Sequence, residues 1–150
     1  MPQVVVLITF SCQTGDTEKF ALSAAVGAIQ GRALIRLRRL PDVEAAEGTE
    51  TLLRMRKEYV PPTEADVLGA DAVILVSHEN TVPSTAPWLG FLSLLRKLRS
   101  EGKLTNKLGA AIGGIAPSLA DLEFFTPDSM MDSVALGRTL AERARAVKSA

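Results

Sequence analysis

The residues best suited to chemistry stand together near the start of the chain, where the apolar run VVVLIT leads into Phe10–Ala21, FSCQTGDTEKFA. Ser11, Thr14 and Thr17 carry hydroxyls, and Gly15 permits a close backbone approach just as a helix begins. A helix start offers unpaired N–H groups and the positive end of its dipole, so this loop has the composition of a monophosphate cradle. Thr14 and Asp16 are equally ordinary helix caps, and spacing alone leaves both readings open. Neither GxxxxGK[ST] nor GxGxxG occurs, so neither a nucleoside triphosphatase nor a classical dinucleotide fold is indicated.

Four other positions could carry chemistry, each with a plainer reading beside it. Cys12 lies where the dipole favours a thiolate, which makes it either a reactive group or an inert small residue. His78, the only histidine, opens the loop HENTVPSTAP; it is either a proton donor to a bound acceptor or an exposed loop residue. Trp88 and the pair Phe124-Phe125 could stack on a ring or line an apolar pocket, although Trp88 at the start of an apolar helix reads first as core. Arg54, Arg56 and Lys57 read as the solvated face of a helix.

The elements that must position these residues follow from the hydrophobic pattern. Val4–Phe10 and Asp71–Ser77 are continuous apolar runs, which is how parallel strands buried on both faces read. Ala33–Leu40 sets Arg36 and Arg38 among leucines and an isoleucine, as an edge strand does. Lys107–Ala116, rich in Gly and Ala, is the fourth strand. Helices are expected over Thr17–Gln30, with Phe20, Ala24 and Ala28 on one face, over Thr49–Tyr59, over Trp88–Gly102 and over Pro127–Ser149. Thr63–Leu68 adds a short turn. Strands alternating with helices predict one open parallel sheet covered on both faces, with ligands at the carboxyl ends of its strands.

Bulk properties narrow the partners. The 150 residues fit a single domain, 1–150, and 47% of them are hydrophobic. The 17 basic and 17 acidic side chains cancel, which argues against nucleic acid and against an anionic membrane. No run reaches the roughly 20 apolar residues of a membrane span, and MPQVVVLITF lacks the pattern of a signal peptide, so a cytoplasmic protein without membrane insertion is expected.

TGDTEKFA resembles the phosphate loop of flavodoxin-like proteins, Thr/Ser-x-Thr-Gly-x-Thr after the first strand. ADVLGADAVILVS and WLGFLSLLRKL resemble that family's approach to its third strand and its following helix, while KLTNKLGAAIGG and DSVALGRTLAERARAV are similar to the fourth strand and last helix of the WrbA-type NAD(P)H:quinone oxidoreductase branch. The resemblance implies a flavodoxin-like α/β/α domain that binds FMN, takes electrons from NAD(P)H and passes them to a quinone. It implies phosphate contacts from Ser11, Cys12, Gln13, Thr14, Gly15, Asp16 and Thr17, with Cys12 standing where the family has a hydroxyl. It also implies ring contacts from Glu79, Asn80, Thr81, Gly113 and Gly114, with His78 as the catalytic candidate.

Two departures qualify what the resemblance implies. HENTVPSTAP replaces the family's Pro-Thr-Arg-Phe-Gly, and only Ile115–Thr126 separates the fourth strand from the last helix. That is too short for a helical crossover to a paired fifth strand. The expected sheet order is therefore 2-1-3-4, with Leu122–Phe125 at most a short unpaired stretch. The fourth strand becomes a bare edge, which predicts a homo-oligomer through that edge or the face beside it. The alternative to an oxidoreductase is a non-catalytic module that keeps the fold without the ring site.

Overall fold

The computed structural model describes residues 3–11, 16–41, 50–78, 81, 86–122, 124 and 132–149. Four parallel strands, β1 (Val5–Phe10), β2 (Leu34–Arg39), β3 (Ala72–Val76) and β4 (Leu108–Ile112), form one sheet in the order β2-β1-β3-β4. The helices are α1 (Asp16–Gln30), α2 (Glu50–Glu58), α3 (Glu64–Leu68), α4 (Ala86–Ser100) and α5 (Ser133–Ser149). Val6 pairs with Ile35 and Ala72, and Ala72 with Leu108, so the register runs level across the sheet. β1 and β3 are central and almost wholly buried, which is why neither shows alternation.

Two unlike cores flank the sheet. On one face α1 and α5 pack over Val6, Ile8, Ile74 and Val76. Here the helices approach through backbone: a Cβ on Gly27 would lie 1.8 Å from the carbonyl oxygen of Val134, and one on Gly137 would lie 2.0 Å from that of Ala24. On the other face the large side chains of Trp88, Phe91, Leu92, Leu95 and Leu98 from α4 fill the space over Leu7, Val73 and Leu75.

The close crossing corrects the expected face of α1. Ala21, Ala24, Ala25 and Ala28 are buried, whereas Phe20 is 54% exposed and Leu22, Val26 and Ile29 also face outward. Only small residues fit beneath α5, so the larger apolar side chains of α1 turn away from the contact.

The two sheet edges differ as well. Arg38 on β2 donates to both carboxylate oxygens of Asp66, at 3.1 and 3.3 Å. Asp66 in turn completes a capping box with Thr63 at the start of α3. Burial pushes its carboxyl upward, but the Thr63 and Arg38 hydrogen bonds outweigh that and hold it below the ordinary value. The outer side of β2 is also partly covered, since the Arg39 N–H donates to the Val60 carbonyl at 3.1 Å.

On β4, Leu108 N–H donates to Asp71 and Ile112 C=O accepts from Ser77, so the alternate residues Gly109 and Ala111 turn their backbone groups outward. β4 is the bare edge that its composition predicts. It ends at Ile112, earlier than the expected Ala116, because Gly113 takes φ +100° and the chain then winds into a 3-10 helix over Ala116–Leu122. Leu122 thus belongs to that helix and to the core, not to a strand. The expected Pro127 start of the last helix lies outside the described residues.

Candidate functional crevice

β1 sends the chain to β2 on one side and its other neighbour is β3, so the switch point lies at the carboxyl ends of β1 and β3. The loop after β1 leaves from Ser11 and leads to the first turn of α1. Ser11 N–H donates to the Val76 carbonyl at 3.3 Å, and its Oγ accepts the Trp88 indole N–H at 2.7 Å. Trp88, only 1% exposed, is therefore a core residue that ties α4 to this loop, and no face of it is open to stack on a ring. Thr17 lies buried in the first turn of α1, at 4% exposure. Cys12, Gln13, Thr14 and Gly15 lie outside the described residues, as does the side chain of Asp16.

The loops after β3 and β4 are fastened to each other. Ser77 N–H and Oγ both donate to the Ile112 carbonyl, at 2.9 and 3.1 Å, and Ser77 Oγ accepts the Ile115 N–H at 3.3 Å. The His78 carbonyl accepts from Gly114 and from Thr81, each at 3.0 Å. Gly113 must be glycine: its φ is left-handed, and a Cβ would sit 2.0 Å from the Ser77 carbonyl oxygen. Gly113, Gly114 and Thr81 stand beside one another at the carboxyl ends of β3 and β4, and the N–H groups of Gly114 and Thr81 already have partners within the chain. His78 is exposed at the rim. Glu79 and Asn80 lie outside the described residues.

A polar group that sequence reasoning missed braces the first turn of α1. Glu18, buried there, accepts two hydrogen bonds from Arg54, at 2.7 and 3.1 Å, and one from the Tyr59 hydroxyl at 2.7 Å. The Arg54 guanidinium, followed by the Tyr59 hydroxyl, holds the Glu18 carboxyl below its ordinary value of 4.5 against the opposing effect of burial. Burial, with Glu18 beside it, pushes the Tyr59 phenol up. Arg54 also reaches Glu58 on its own helix at 2.6 Å, which raises its already high pKa further. Tyr59 meets the ring of Phe10 edge to face at 5.0 Å. Arg54 is therefore more than the solvated residue its helical setting suggested; nothing in local sequence links position 54 to position 18.

The buried Thr9 hydroxyl, two residues before Ser11, has no hydrogen-bond partner among the described residues. No group of three or more His, Cys, Asp or Glu among them is placed to hold a metal ion, and none of their helices is long and apolar enough to cross a membrane.

No family model and no curated protein matches the chain by sequence. Solved structures do match by shape. A WrbA-like flavodoxin from Agrobacterium tumefaciens aligns with a TM-score of 0.56 at 14% identity, over 98% of this chain and 99% of that one. The flavodoxin of Streptococcus pneumonia TIGR4 aligns with a TM-score of 0.57 at 15% identity, over 95% and 99%. A TIR domain heterodimer of RPS4 and RRS1 aligns as well, with a TM-score of 0.55 at 11% identity over 97% and 99%, so what is shared is architecture. The chain has a flavodoxin-like α/β fold, with four parallel strands in the order 2-1-3-4.

Proposed function

We propose that the chain binds FMN by its phosphate in the loop between β1 and α1, and that it serves as an NAD(P)H-dependent oxidoreductase acting on a quinone or similar acceptor. The observation that carries this reading is the position of the α1 N-terminus at the switch point, with the Glu18 carboxylate of its first turn paired to Arg54. An unpaired Glu18 would repel a phosphate there; the guanidinium, which it shares with Glu58, offsets part of that charge, and the helix dipole and first-turn N–H groups favour an anion. Ser11, Thr14, Gly15 and Thr17 would hold the phosphate. The flavin would supply two-electron transfer chemistry. His78, at the rim, would carry a proton toward the acceptor.

A second reading, a non-catalytic binding or oligomerisation module, is favoured by the loops after β3 and β4. Their described donors at Gly114, Ile115 and Thr81 are turned inward, and Trp88 is buried, so the ring end offers less than the phosphate end. In that reading the chain acts through self-association over the outward backbone groups of Gly109 and Ala111.

Titration with FMN, followed by quenching of flavin fluorescence, tests the first proposal. Saturable quenching is expected, with Thr17→Val weakening it at least about tenfold, the equivalent of one charge-assisted hydrogen bond. Absence of quenching at millimolar FMN overturns it. NAD(P)H oxidation by the FMN-loaded protein with a soluble quinone then separates the two readings: turnover supports the oxidoreductase, and binding without turnover supports the module.

A further inference from the structure

A cavity of about 440 Å³ opens at the opposite end of the sheet from the crevice, beside the first residues of β4. Its size falls within the range of small-molecule sites, far above that of a packing void. Leu95, Leu104, Leu122, Phe124 and Leu140 supply apolar walls. They come from α4, the segment before β4, the 3-10 helix and its sequel, and α5, so the cavity wraps the bare edge and touches both layers. Gly109 makes room for one wall, since a Cβ there would fall 2.2 Å from the Phe124 ring.

The polar part of the lining has one sign. Arg99, Lys107 and Arg143 line the cavity, and no carboxylate does among the described residues. Lys107 is committed elsewhere: its ammonium donates to the carbonyls of Leu68, at 2.9 Å, and Ala70. Arg99, in the last turn of α4, lines the cavity together with Thr105 and Asn106, and its charge also reaches the Asp121 carboxyl. Gly109, also in the lining, turns its N–H and C=O to this side. Apolar walls and a cationic rim select a molecule with an apolar body and one anionic head.

We propose that this cavity is a binding site for a small amphipathic carboxylate, its chain or ring against Phe124, Leu104 and Leu108 and its carboxylate on Arg99. The site is independent of the flavin reading, lying at the amino ends of the strands. It shares Gly109 with any strand pairing of a second copy, so ligand and pairing exclude each other.

The test uses the full chain, isotope-labelled, titrated with decanoate below its micelle concentration and, separately, with the neutral decanol. Saturable amide shifts confined to Leu104–Gly109 and the facing turn of α5 are expected with decanoate, with decanol at least about tenfold weaker, as the loss of a charged hydrogen bond implies. Arg99→Gln should bring decanoate down to the decanol level. Leu104→Trp, at a partly exposed lining position, should abolish binding by filling the cavity; if that variant does not fold, Thr105→Trp, on the exposed side of the lining, makes the same test. No saturable shift, shifts centred elsewhere, equal binding of the alcohol, or unchanged binding in Arg99→Gln each overturns the proposal.

Discussion

The two helical layers solve the same task by opposite means. Where α1 meets α5, the contact is built from Gly27, Gly137 and alanines, and backbone rests on backbone with no space between. Where α4 meets the sheet, large side chains do the filling, and the filling ends short of the β4 edge, where the cavity remains. Contact through backbone fixes the position of a helix start closely and tolerates nothing larger than hydrogen. Contact through side chains tolerates change in shape and leaves usable volume. The layer that presents the proposed phosphate site is held by backbone contact, and the cavity opens where the side-chain filling of the other layer ends, with Arg143 of α5 on its border.

The sharpest break of this contrast is expected from Trp88→Ala on the side-chain layer, which removes the largest buried side chain and the indole bond to Ser11. A loss of about 3–5 kcal/mol is expected in urea unfolding, whereas Trp88→Phe should keep most of the packing and lose chiefly the hydrogen bond. A loss close to that of the Phe variant would mean that the layer closes over the gap.

On the backbone layer, one added methyl should matter more than a whole change of side chain opposite. Gly137→Ala is expected to cost about 3 kcal/mol, and Leu92→Met less than about 1.5 kcal/mol. Equal costs would remove the distinction between the layers.

The smallest effect lies at the flank of α1. Glu18→Gln should cost about 1.5 kcal/mol at neutral pH, the worth of a hydrogen bond to a charged partner. Because the folded state holds the Glu18 carboxyl below its ordinary 4.5, the pair stabilises fully above that pH and loses its effect as pH falls through the lowered value. The gap between wild type and variant should therefore shrink below about pH 4 and be constant above about pH 6. A constant gap across that range would assign the loss to packing.

Much of the architecture was legible because it rests on local pattern. Unbroken β-branched runs mark β1 and β3, the arginines of β2 and the Gly and Ala of β4 mark edges, and the short Ile115–Thr126 connection excludes another paired strand. What local pattern could not supply are relations between distant positions. Phe20 looks like a core residue on a helical wheel, and only the arrival of Val134 and Gly137 decides that the alanines go inside. Glu18 and Arg54 stand 36 positions apart. The resemblance offered Gly113 only as a ring contact; its close approach to Ser77, which a side chain would block, is a relation between two strand ends that local pattern does not show. The cavity is invisible in sequence because its walls come from four separate segments.

The seam between α1 and α5 also sets a schedule. α1 precedes β2, β3 and β4 in the chain, and α5 follows all of them. Until α5 arrives, Ala24 and Ala28, with Ile8 and Ile74 beneath them, lack half of their cover. The α4 layer is complete once Leu122 is made, whereas the α1 layer stays open until α5 follows, so its closure depends on contacts between widely separated parts of the chain. A product interrupted after β4 would hold every strand of the sheet and still present an apolar face to chaperones.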